Sequence, residues 1–145
     1  MNMNTRLALR NLVWLAGALQ MCQIPAMLFA PKILHWKDDL SRLQPINRAI
    51  IAVIAIAIVI VGVGTGIVVM LGASDMLSGT ILGKAFCAFL GFFWLYRATV
   101  QIFVYSRIWP SGPLGRASHH GLTLLFVFQA ATYLSAFVFL VTRPR

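Results

Sequence analysis

Arg97 lies inside the apolar stretch FLGFFWLYRATVQIFVYSR, residues 89 to 107, in a chain with no glutamate and three aspartates, all outside hydrophobic segments. A cation near the bilayer centre costs about 2.5–3.5 kcal/mol on insertion scales, so such a residue faces protein, water or an anionic ligand. The chemistry it offers is anion recognition, because a guanidinium has five donors, no acceptor and a permanent charge. The groups that could join it are neutral: Gln20, Gln23, Gln101 and Gln129, with Tyr105 and Tyr133. Arg97, Gln101 and Tyr105 follow at intervals of four, as do Gln129 and Tyr133, which assigns each set to one helical face.

Other chemistries find less material. Asp38, Asp39 and Asp75 fall in connectors, and no two carboxylates share a face for acid–base work, so no catalytic residue is assigned. Ser118 beside His119 and His120 is adjacency without a triad. His35, His119 and His120 fall on one side of a four-span topology, but their spacing matches no ligand motif and no metal or haem site is assigned. Cys22 and Cys87 form no CxxC pair, and the chain lacks the paired cysteines of membrane thiol oxidoreductases. No cofactor is indicated.

These residues are positioned by apolar segments. Sixty per cent hydrophobic against 10% charged residues is the balance of an integral membrane protein. The net charge of +9 comes from basic residues flanking hydrophobic segments, where anionic lipid headgroups are the partner and nucleic acid is not. Four stretches, about 9–30, 49–72, 82–107 and 120–142, reach the roughly 20 apolar residues that a 30 Å hydrocarbon core requires. The expected fold is all-α: one multi-pass domain over 1–145, a four-helix bundle in the membrane.

Arg6 and Arg10 ahead of the first span resemble the start of a signal peptide, but no A-x-A site follows. Leu19-Gln20-Met21-Cys22 lacks the small residues of a lipoprotein cleavage box. The first span is therefore expected to be a retained anchor. An even number of spans places Arg6, Arg10, Lys84, Arg143 and Arg145 on one side against Lys32, Lys37, Arg42, Arg48, Arg107 and Arg116 on the other; five against six sets no orientation.

The connector 31–48, PKILHWKDDLSRLQPINR, predicts a short interfacial amphipathic helix bracketed by Pro31 and Pro45. Ile33, Trp36, Leu40 and Leu43 form its apolar face, Trp36 is the interfacial anchor, and Asp38 can pair with Arg42. In the second span Gly62 and Gly66 form a GxxxG pair, which permits close approach of a helix of this chain or of another subunit.

Taking each helix as straight, Gln20, Gln23, Arg97, Gln101 and Gln129 fall at similar depths, predicting one polar layer among spans one, three and four, with nothing contributed by span two. Glutamines alone could lock helix register; Arg97 asks for an anion. The expected function is a small non-catalytic membrane subunit or assembly factor whose polar layer meets other membrane subunits. The alternative is a binder of a lipophilic anionic ligand (lipid, quinone or pigment), or a small membrane enzyme built on the same layer.

Overall fold

The computed structural model describes residues 3–142; Arg143 and Arg145, counted above, lie outside them. Among the described residues every regular element is helical: α1 (Met3–Ile33), α2 (Trp36–Ser41), α3 (Pro45–Met76), α4 (Ile81–Phe103), a 3-10 turn (Tyr105–Arg107) and α5 (Pro113–Val141). The fold is all-α. Four segments, α1, α3, α4 with its 3-10 turn, and α5, are long and apolar enough to cross a membrane, the pattern of a multi-pass membrane protein.

The helices outrun the apolar stretches at most ends, because helical hydrogen bonding continues through polar flanks such as Asn4 to Ala8 and Arg116 to His119. The α3–α4 turn is tight. Gly79 takes φ +87°, and the Thr80 hydroxyl caps α4 by accepting from the Gly83 amide at 3.1 Å. At its other end α4 stops at Phe103, short of residue 107. The chain tightens there into the 3-10 turn, and Tyr105 leaves the face that carries Arg97 and Gln101.

The connector is also shorter than expected. Proline lacks an amide donor but need not end a membrane helix, and α1 runs through Pro25 and Pro31 to Ile33. His35, at φ 52° in the left-handed region, then precedes α2 as its N-cap residue. This leaves α2 six residues long, from Trp36 to Ser41, so Ile33 and Leu43 do not share a helix with Trp36 and Leu40. Trp36 itself is half-buried. Asp38 and Arg42 form no ion pair; the Asp38 carbonyl instead accepts from the Ser41 hydroxyl at 2.6 Å. Arg48 closes the end of α2, donating from Nε to the Leu40 carbonyl and from a terminal nitrogen to the Ser41 carbonyl, each at 3.1 Å.

The described residues group into two compact units, and α1 and α3 contribute to both. The first comprises the chain up to Ala16 and from Gly72 onward, so all four long helices enter it. Within it α4 and α5 make the most extensive helix–helix contact. They run antiparallel, Gly91 lying against Leu134 while the Gln101 carbonyl meets His119. The buried positions of α4, Gly83, Cys87, Leu90, Trp94, Ala98 and Gln101, recur at helical spacing; those of α5 include Phe126, Gln129, Ala130, Tyr133, Ala136 and Leu140. From α1, Leu9, Val13 and Ala16 complete this core.

The second unit spans Gly17–Leu71. Here α1 and α3 approach closely at glycines: a Cβ at Gly66 would stand 2.7 Å from Met21 Sδ, and one at Gly17 would stand 2.8 Å from a Val69 methyl. A Cβ at Gly62 would be 3.3 Å from Ile24. The Gly62 and Gly66 face of α3 is thus occupied by α1 of the same chain.

Candidate functional site

Arg97 sits at the rim of the first unit's core. Ala98, one residue on, turns fully inward, which leaves Arg97 half-buried. Its guanidinium carbon lies 5.2 Å from the centre of the Phe126 ring of α5. The Trp94 ring stacks on the same Phe126 ring at 5.4 Å with the planes 30° apart. A cation over an aromatic face gains roughly 0.5–2 kcal/mol from the ring quadrupole, depending on desolvation. Among the described residues no carboxylate or hydrogen-bond acceptor reaches the Arg97 guanidinium.

Behind Arg97 the core holds buried polar side chains with unmet donors. Trp94 Nε1, Gln101 Nε2 and Tyr133 Oη are each enclosed without a hydrogen-bond partner among the described residues. An unmet buried donor costs about 1–3 kcal/mol. Gln129, fully buried, uses its Nε2 to donate to the Ala16 carbonyl of α1 at 3.2 Å.

These residues do not form one layer within the unit. The Gln101 backbone is level with His119, whose Nε2 lies 3.1 Å from the Gln101 carbonyl oxygen. Gln129 is ten residues further along α5, roughly 15 Å at 1.5 Å per residue. Arg97, level with Phe126, stands between them, and Tyr133 lies one turn beyond Gln129. The straight-helix depths fail because α4 ends early and α5 begins early, which shifts their antiparallel register relative to the hydropathy boundaries.

Tyr105, off the Arg97 face, joins a different cluster. Its ring lies 5.9 Å from Trp109, which meets His119 edge-on at 5.7 Å; His119 in turn meets His120 at 5.5 Å. Trp109 Nε1 donates to Ser118 Oγ at 3.2 Å, pinning the α4–α5 turn that Gly112, at φ +115°, opens ahead of Pro113. Among the described residues no group of three or more histidines, cysteines or carboxylates is placed to hold a metal ion.

In the second unit Gln20 and Gln23 are both buried on α1. Gln20 Nε2 donates to the Gly62 carbonyl at 2.8 Å and to the Thr65 hydroxyl. Thr65 also donates to the Val61 carbonyl at 2.7 Å. Gln23 Nε2 donates to the Leu19 carbonyl one turn back, at 3.5 Å. The second span therefore does supply polar partners, through Thr65 and through a backbone carbonyl that glycine leaves uncovered.

Sequence reasoning missed Phe126, Trp94, Trp109 and Thr65. Thr65 carried a usable signal, a hydroxyl within the Gly62-to-Gly66 turn, where backbones approach closely enough for a glutamine to reach it. The site as a whole offers one half-exposed cation on an aromatic platform, with hydrogen-bond donors behind it. The chain matches no family model, and no curated protein or solved structure matches it.

Proposed function

We propose that this protein is a small non-catalytic membrane subunit or assembly factor, and that Arg97 is its docking point for an acidic side chain of another membrane protein. The observation that carries this reading is the Arg97 geometry. The guanidinium is held in place by Phe126, half-exposed at the rim of the α4–α5 pair, and has no acidic partner among the described residues. The cation–π contact offsets only part of the cost of a charge at membrane depth, so a carboxylate supplied from outside would gain the remainder. The ring contact also favours association, because a side chain it already restrains has less freedom to lose when the partner binds.

A second reading draws on the buried donors of Trp94 and Gln101, each within about one turn of Arg97 along α4. They favour an acceptor-rich lipophilic ligand, such as a lipid, quinone or pigment headgroup, held with Arg97 as its charge partner. One experiment separates the two: purification from the native membrane in mild detergent, with mass spectrometry of the proteins and lipids that co-elute. Stoichiometric polypeptides lost on Arg97→Gln and kept on Arg97→Lys support the subunit reading. Loss of a bound small molecule supports the ligand reading, and an unchanged profile rejects both.

A further inference from the structure

We propose that Arg6, Arg10 and Ser74 form a headgroup site for an anionic phospholipid at the end of the first unit where α1 begins. Arg6 and Arg10 are four residues apart and lie on one face of α1. Together with Met3, Leu7, Ser74 and Leu77 they line a cavity of about 230 Å³. That is below the roughly 300–1,000 Å³ of pockets that enclose a whole drug-sized ligand, and it suits a headgroup whose chains remain outside.

The chemistry of the lining selects an anion. Each guanidinium has five donors and spends few of them within the chain: Arg6 reaches the Leu77 carbonyl at 3.5 Å and Arg10 reaches Asn11 Oδ1 at 3.4 Å. The contact with Leu77 draws Arg6 over the α3–α4 turn, so the two arginines and Ser74 border the same space. Arginine forks match phosphate oxygens, and a serine hydroxyl can donate to a third. The nearest carboxylate in sequence, Asp75, is exposed, does not line the cavity and makes no ion pair.

Depth points to a lipid as the source of the phosphate. No charged residue falls between Arg10 and Lys32, an interval just long enough to cross the hydrocarbon core, so that core begins immediately beyond Arg10. Arg6 and Arg10 therefore stand at headgroup level. Met3, Leu7 and Leu77 give the lining an apolar part, which suits glycerol and the first methylenes of the acyl chains and is of no use to a free ion. This site is independent of Arg97.

The test is native mass spectrometry of the full chain in mild detergent, titrated separately with phosphatidylglycerol, phosphatidylcholine and inorganic phosphate. Phosphatidylglycerol should bind well above phosphatidylcholine. Arg6→Gln with Arg10→Gln should weaken it about 30-fold, at roughly fivefold for each basic side chain near the surface. Arg107→Gln with Arg116→Gln removes equal charge at the α4–α5 turn and should leave it within about twofold. Arg10→Gln alone spares the Leu77 contact and should still cost about fivefold, which keeps the test readable if the double variant misfolds. Equal binding of the two lipids, an equal loss in the control pair, or displacement of phosphatidylglycerol by inorganic phosphate would each overturn the proposal.

Discussion

Arg97 and Phe126 face each other across the α4–α5 pair, the guanidinium carbon 5.2 Å from the ring centre. The contact recovers roughly 0.5–2 kcal/mol of an insertion cost of about 2.5–3.5 kcal/mol. A double-mutant cycle of Arg97→Met and Phe126→Leu, followed by reversible unfolding in mixed micelles, should return a coupling energy in that lower range. Additive effects of the two substitutions would show that the ring does not hold the cation.

Gln20 makes two hydrogen bonds to α3, one to the Gly62 carbonyl and one to Thr65 Oγ1. Interhelical hydrogen bonds in membranes average about 0.6 kcal/mol and reach about 1.7. Thr65→Val should therefore cost a fraction of a kcal/mol up to about 1.7, and Gln20→Leu should cost more, since it severs both bonds. The same unfolding assay checks the order; equal losses would mean that the carbonyl bond contributes nothing.

Gly91 and Gly64 should respond oppositely to alanine. A Cβ at Gly91 would stand 2.7 Å from a Leu134 methyl and 3.2 Å from the Leu134 backbone nitrogen, so α5 itself would have to move. Overpacking of this kind costs about 1–3 kcal/mol. Gly64 has nothing within 4 Å of its added Cβ, and Gly64→Ala should be neutral or stabilising by up to about 1 kcal/mol. Thermal aggregation midpoints in detergent would rank the two variants against the parent.

His35 adopts φ 52° between α1 and α2, a region where a Cβ crowds the following carbonyl. Glycine removes that crowding at the expense of greater freedom in the unfolded chain. His35→Gly should consequently raise stability by about 0.5–1 kcal/mol, whereas His35→Val should lower it, because β-branched residues tolerate this conformation least. A drop on His35→Gly would indicate that the imidazole makes a stabilising contact of its own.

Much of the scaffold was legible because hydropathy and helical spacing report the same faces. Leu9, Val13, Ala16, Gln20 and Gln23 recur at alternating steps of four and three, and all five are buried. The close-approach role open to Gly62 and Gly66 depends only on the absence of a side chain, a property visible in the residue name. The partner of Arg97 was not legible. Phe126 is one of ten phenylalanines, and its relation to Arg97 depends on an α4–α5 register set by a 3-10 turn and by Gly112. Tyr105 was misplaced for the same reason: spacing by fours holds only while the backbone stays α-helical.

The double grip of Gln20 has a consequence for assembly. Sliding α1 by one turn along α3, about 5.4 Å, would leave the carboxamide facing hydrocarbon and bring Gly17 and Gly66 out of step with the side chains they now admit. A greasy helix pair can ordinarily settle at several offsets of similar energy. Here the amide acts as an indexing pin, so that one offset is selected while the two segments are still free to diffuse within the bilayer.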